Sequence, residues 1–148
     1  MTGFRADDSR AGGAGGFPRI PSAGRVFGLG IDVTEAARIR RLLERLPRAY
    51  ERLFSEQERA YCDGFADPWP RYAARFAAKE AGMKAIGTGW RRGVTWQDFE
   101  VANLPSGRPT MKFSGKAAEI AQQLGVKNVA LSLTHTAEQA LAQVLIEN

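Results

Sequence analysis

The stretch from Tyr72 to Ile86 constrains this chain more than any other. Its residues are apolar or small on nearly every side of a helical wheel, which predicts a central helix covered all round by other elements. Gly87 closes it. The same helix carries Arg75, Lys79, Glu80 and Lys84. With one residue step of about 100°, Glu80 falls within about 40° of Phe76 and shares a sector with Tyr72 and Met83. A carboxylate aimed that way must meet a cation or hydrogen-bond donors, because burying it alone is costly. Lys84, one turn on, has two readings. It either pairs with Glu80, worth about 0.3–0.5 kcal/mol on an exposed helix, or faces a shared polar site with it.

The elements around this helix follow from local signals. Val26 to Ile31 is a short apolar run with Gly28 and Gly30, which predicts a buried strand closely approached by another backbone. A helix then runs to about Leu46, with Ile39, Leu42, Leu43 and Leu46 on its apolar face, and Pro47 stops it. Ser55 and Glu58 form a capping-box pattern that starts a short helix ending near Gly64. Strands are predicted over Val94 to Val101 and Thr110 to Phe113, joined by a turn at residues 106–109. Ser114 is placed to cap a helix ending at Gly125. Val129 to Thr134 and Ala140 to Ile146 predict a terminal hairpin. This order gives an α+β fold, a mainly antiparallel sheet packed on a long buried helix.

A chain of 148 residues suits one compact core. No run approaches the roughly 18 apolar residues of a membrane span. Residues 1–25, rich in glycine and arginine, read as a disordered extension before a domain spanning 26–148. They lack the apolar core of a secretory signal, and Asp7 and Asp8 count against a transit peptide. The single Cys62 forms no internal disulfide and has no matched base, which favours a reducing, cytoplasmic setting over a nucleophilic role. The single His135 excludes a multi-histidine metal site. A formal charge of +5 is compatible with any anionic partner and by itself identifies none.

Several residues then have a structural and a chemical reading. Asp32, with Glu35 three residues on, is either a helix N-cap or a rigidly held carboxylate that binds a metal. If Asp32 and Glu80 meet, two carboxylates without thiolate or multiple imidazoles suit a hard cation such as Mg²⁺, which takes its remaining ligands from phosphate and water. Lys84 is then a point charge beside those phosphates. Gly87-Thr88-Gly89 is either a helix stop or a loop whose N–H groups approach a phosphate. His135 ends an apolar strand as a surface residue or a ligand contact. Arg38, Arg41 and Arg45 form a stripe that is either a solvated face or a docking surface for an acidic helix. Trp69, Trp90 and Trp96 suit a core or an interface equally.

Four segments together resemble the bacterial holo-[acyl-carrier-protein] synthases, the small 4'-phosphopantetheinyl transferases. They are Gly28-Leu29-Gly30-Ile31-Asp32, Arg75-Phe76-Ala77-Ala78-Lys79-Glu80-Ala81, Gly87-Thr88-Gly89 and Ser132-Leu133-Thr134-His135-Thr136. The resemblance is collinear from about Val26 to Asn148. It implies transfer of the 4'-phosphopantetheine group of coenzyme A to a serine of apo-acyl carrier protein, with release of adenosine 3',5'-bisphosphate. It implies Mg²⁺ on Asp32 and Glu80, with Glu80 and Lys84 as catalytic residues and Glu80 or a water as the base. Coenzyme A contacts fall to Lys79, Gly87, Thr88, Gly89, Gly107, Arg108, Pro109 and His135. Arg38, Arg41 and Arg45 dock the carrier, and the assembly is a homotrimer with sites between subunits; neither nucleic acid nor membrane is expected as a partner. Gly82-Met83 replaces the family's usual Phe-Ser, and Arg108 its commoner lysine. The competing class is a non-catalytic basic module that binds coenzyme A, an acidic protein or nucleic acid; it would not need Asp32, Glu80 and Lys84 together.

Overall fold

A computed structural model describes residues 25–148; the 1–25 extension, Arg25 apart, lies outside the described residues. Strand β1 (Val26–Glu35) leads into helices α1 (Ala36–Arg45), α2 (Ala49–Leu53), α3 (Glu56–Asp63) and α4 (Trp69–Ala85). Strands β2 (Phe99–Asn103) and β3 (Pro109–Phe113) follow, then α5 (Gly115–Leu124), β4 (Asn128–His135) and β5 (Gln139–Glu147). The sheets have orders β1-β5-β4 and β2-β3, and every pairing is antiparallel. The α+β fold around a long buried helix is therefore the one the sequence predicts. Among the described residues no helix is long and apolar enough to cross a membrane.

Helix α4 is the axis of the molecule. Thirteen of its 17 residues are buried, and two core clusters divide along it. Around its C-terminal half lie Phe99, Val101, Met111, Ile120, Leu131, Val144 and Ile146. Around its N-terminal half lie Ile39, Leu43, Phe54, Cys62 and the α4 residues Tyr72 and Phe76. Pro68 and Pro70 sit at its start, where the first-turn N–H groups lack intrahelical partners anyway.

Two glycines set the distance between α4 and the sheet. A Cβ on Gly30 would run into the Ala81 carbonyl oxygen, and one on Gly28 into that of Ala85. The β1 backbone lies directly on the helix, as an interior strand glycine suggests. Gly82, on another side of α4, faces the β2–β3 hairpin: a Cβ there would come within 2.8 Å of Phe99 Cδ1 and 2.9 Å of Met111 Sδ. Met83 is 2% exposed and joins the core. The Gly82-Met83 departure is thus absorbed by packing against β2 and β3.

Three local expectations need correction. β1 is not buried on both faces. Leu29, Ile31 and Val33 are each more than half exposed, because even-numbered residues turn toward α4 and odd-numbered ones turn away. The predicted strand at Val94 begins only at Phe99. Residues Trp96–Asp98 form a 3₁₀ turn, fixed by Thr95 Oγ1 donating to Asp98 Oδ1 at 2.9 Å. Finally, Ser114 occupies the α5 N-cap without a side-chain cap; Asp98 Oδ2 accepts from the Ala117 N–H instead, at 3.2 Å. The α3 capping box forms as the sequence predicts, with Glu58 N donating to Ser55 Oγ and Ser55 N to Glu58 Oε1.

A buried ion pair ties these layers together. Lys79 Nζ lies 2.7 Å from Glu58 Oε1, with neither side chain exposed. The ammonium also donates to the carbonyls of Trp96 and Phe99. Glu58 Oε2 accepts from the Val101 N–H. One lysine and one glutamate thereby join α3, α4 and β2. Burial pushes the Lys79 ammonium below its usual range, and the Glu58 carboxylate draws it back up. Lys79→Ala should lower the unfolding free energy by about 3–5 kcal/mol in urea, because it strands a buried carboxylate. The paired change Glu58→Leu with Lys79→Met should recover only part of that loss, because the Val101 N–H and the Trp96 and Phe99 carbonyls lose their side-chain partners.

Candidate active site

Asp32 stands inside β1, not at a helix mouth. Helix α1 starts only at Ala36, and Glu35 holds its N-cap position without a side-chain hydrogen bond. The capping reading of Asp32 is therefore replaced. As an even-numbered residue, Asp32 points to the α4 side of the sheet, the side on which Gly28 and Gly30 touch the helix. Thr34 shares that face by the two-residue period of a strand. Its hydroxyl donates to Asp32 Oδ2 at 2.9 Å, and the residue is 1% exposed.

Lys84 crosses from α4 to this carboxylate. Its Nζ lies 3.1 Å from Asp32 Oδ1 and donates to the Ile31 carbonyl at 2.9 Å. The helix-internal pair with Glu80 is not the one formed. Glu80 is half-buried on the same helix, one turn before Lys84. Burial pushes its carboxyl above the ordinary range, and the negative charge of Asp32 pushes it further. The Trp90 indole N–H, Lys84 and Arg38 oppose that rise. Two carboxylates from different elements thus share one local field with two cationic side chains.

This donor set fits a hard divalent cation. Asp32 Oδ1 already holds an ammonium at contact distance, and like-charged Glu80 lies near enough to feel it. Among the described residues no three His, Cys, Asp or Glu side chains cluster as a complete metal site. Two carboxylates leave further positions for phosphate oxygens and water, the coordination Mg²⁺ favours.

The other predicted residues separate into groups. Lys79 is fully buried, its ammonium 2.7 Å from Glu58 Oε1 and donating to the Trp96 and Phe99 carbonyls. Gly87 and Gly89 follow α4 with φ of 73° and 53° and open space where a Cβ would lie. Thr88 between them is buried, its N–H and hydroxyl turned back to the Met83 carbonyl. The Gly107-Arg108-Pro109 turn lies outside β4: Arg108 and Pro109 line an open groove with Ser132, Gln143 and Leu145. His135 is exposed at the end of β4, and β5 separates it from β1, a span of about 10 Å at two strand spacings.

Arg38, Arg41 and Arg45 are all exposed on α1. Arg38 stands at the end where its charge reaches Glu80. Arg40, beside the stripe, is committed to Glu44 at 2.9 Å. Sequence reasoning assigned no role to Thr34, although the alternation of Asp32 and Thr34 along one strand was a usable signal for it.

The family model described as the 4'-phosphopantetheinyl transferase superfamily matches residues 28–144. A holo-[acyl-carrier-protein] synthase of Solibacter usitatus is 56% identical over 124 residues, covering 83% of this chain and 99% of that protein. One of Koribacter versatilis is 51% identical over the same shares. The crystal structure of the synthase from Neisseria meningitidis superposes with a TM-score of 0.76 at 29% identity, covering 84% of this chain and all of that one. That of Bacillus anthracis, in complex with CoA (3',5'-ADP), has a TM-score of 0.69 at 36% identity, covering 85% of this chain and 99% of that one.

The electrostatics of Glu80 predict a stability effect. A carboxyl raised on folding costs stability once it is ionised. The cost disappears as pH falls below its ordinary value of 4.5, where folded and unfolded chains are both protonated. In the presence of a chelator, Glu80→Gln should therefore raise the melting temperature near neutral pH. That advantage should shrink toward about pH 4, as thermal scans across this range would record.

Proposed function

The chain belongs to the 4'-phosphopantetheinyl transferase superfamily, and from that membership and the Lys84–Asp32 contact, with Glu80 near enough to feel both charges, we propose how it performs the reaction of its relatives. It transfers the 4'-phosphopantetheine group of coenzyme A to a serine of apo-acyl carrier protein and releases adenosine 3',5'-bisphosphate. The observation that supports the assignment most is the Lys84–Asp32 contact beside the raised Glu80 carboxyl. It joins, across two elements, the residues that a phosphoryl-type transfer needs for positioning and charge stabilisation.

Asp32 and Glu80 would hold Mg²⁺, which supplies charge neutralisation at the attacked phosphorus and on the departing phosphate. Thr34 fixes the Asp32 carboxylate by a hydrogen bond to its second oxygen. Lys84, half exposed, carries an ammonium that can turn from Asp32 toward an anionic oxygen. Gly87 and Gly89 leave room for a phosphate to approach their backbone. Gly107, Arg108, Pro109 and His135 are assigned to a coenzyme A bound between two copies. Two facts support that arrangement. β5 separates His135 from Asp32 within one chain, and β1 leaves Leu29, Ile31 and Val33 as an exposed apolar row. A homotrimer is the assembly proposed, and the buried, disulfide-free Cys62 supports a cytoplasmic setting.

Arg38, Arg41 and Arg45 are proposed to receive the acidic carrier. Their exposure on α1, and the effect of the Arg38 charge on Glu80 of α4, support a docking face next to the proposed chemistry.

Incubation with coenzyme A, Mg²⁺ and apo-carrier protein should add the phosphopantetheine mass to the carrier. A carrier left at its original mass, across several carriers, contradicts the assignment. Glu80→Gln should lower the transfer rate by about a hundredfold or more, as expected when several kcal/mol of charge stabilisation is lost. Arg38→Glu with Arg41→Glu should raise the KM for carrier by about tenfold, a loss near 1.4 kcal/mol. The KM for coenzyme A should stay unchanged.

A further inference from the structure

The two carboxylate oxygens of Asp32 are held differently. Oδ2 accepts from the hydroxyl of Thr34, a residue that is itself buried. Oδ1 has one partner among the described residues, the Lys84 ammonium at 3.1 Å. That ammonium also donates to the Ile31 carbonyl at 2.9 Å, so two of its three donors are spent on adjacent residues of β1. The lysine side chain is nevertheless 49% exposed, against 17% for Asp32. Lys79, one helical turn earlier on α4, shows the contrast, with an ammonium fully buried against Glu58 and two carbonyls. Lys84 is thus a solvent-accessible cation resting on the one Asp32 oxygen that no neutral donor holds.

We propose that Lys84 and the divalent cation exclude each other at Asp32 Oδ1, so that coenzyme A admits the metal by drawing the ammonium onto its phosphates. A carboxylate oxygen in contact with an ammonium offers a metal no open position, and two cations on one oxygen repel each other. The ammonium has somewhere else to go. It rides on a flexible four-carbon stem, three residues before Gly87, where the backbone leaves open space. Every contact that Lys84 makes with a phosphate frees Asp32. Without coenzyme A, the apparent affinity for metal is reduced to the fraction of chains in which the lysine is away from the carboxylate. The two ligands are thereby coupled, each favouring the other. The inference rests on the reading of Asp32 as a ligand of the cation.

Lys84→Met removes the competing charge and keeps an unbranched side chain on an exposed position, and thermal melting checks that the variant folds. In the full chain without coenzyme A, Mn²⁺ affinity, read from the electron paramagnetic resonance of free Mn²⁺, should rise by about threefold, the size set by a part-exposed ion pair. With coenzyme A present that advantage should vanish, because the wild-type ammonium is then on phosphate. The Lys84 ammonium itself, observed by ¹⁵N NMR and identified by its loss in Lys84→Met, should have protons protected from exchange with water in a chelator and lose that protection when Mg²⁺ is added. An affinity that Lys84→Met leaves unchanged or weakens overturns the proposal. So does a gain accompanied by an ammonium that stays protected in Mg²⁺, since repulsion at a distance would then be the cause. Asp32→Asn separates this from the underlying reading. Wild-type Mn²⁺ affinity in that variant shows the cation site itself to be wrong. Affinity lost there, with none gained in Lys84→Met, removes the exchange alone.

Discussion

The contact of the β1 backbone with α4 is the constraint on which the site depends. Gly28 and Gly30 bring the strand onto the helix so closely that a single methyl group at either would collide with a helix carbonyl. With that spacing set, the pleat of the strand turns Asp32 toward the helix, and Lys84 spans from α4 to its carboxylate. Neither acid could find the other by local folding, since 48 residues separate Asp32 from Glu80. The glycines convert that sequence separation into one electrostatic neighbourhood. Gly82 performs the same service on another side of α4, where the Phe99 ring and the Met111 sulfur take the space of a side chain.

The charged residues of α4 divide by what surrounds them. Lys79 is spent on structure, satisfied by Glu58 and two carbonyls. Arg75 is likewise buried, its guanidinium donating to Asn103 and lying 3.9 Å over the Tyr61 ring. Glu80 is half-buried and Lys84 exposed. Glu80 is held in a half-buried position near another acid, which favours its neutral form and leaves it ready to gain a cation.

Much of the fold was legible because its signals are local. The all-round apolar pattern of α4, the Ser55–Glu58 box and the alternation of the terminal hairpin each lie within a few residues. The failures have a common cause in tertiary partners. Asp32 beside Glu35 matched a capping pattern, but β1 continues through Asp32 because β5 pairs with it as far as Glu35. Residues 94–98 have strand-like composition, yet Asp98 binds Thr95 and the start of α5, holding the backbone in a turn. Lys79 sits in the strongest stretch of resemblance beside Glu80, and its buried pair with Glu58 was not legible because 21 residues separate the two. Of the site, the residue types were legible and their grouping was not.

The central claim is that Asp32 and Glu80 grip one hard cation together. A crystal soaked with Mn²⁺ and coenzyme A tests it most directly, through the anomalous scattering of the metal. A single peak in coordination distance of both carboxylates, with Lys84 Nζ turned away from Asp32, is the predicted result. Bound coenzyme A with no peak there, or with a metal touching neither acid, would contradict the account.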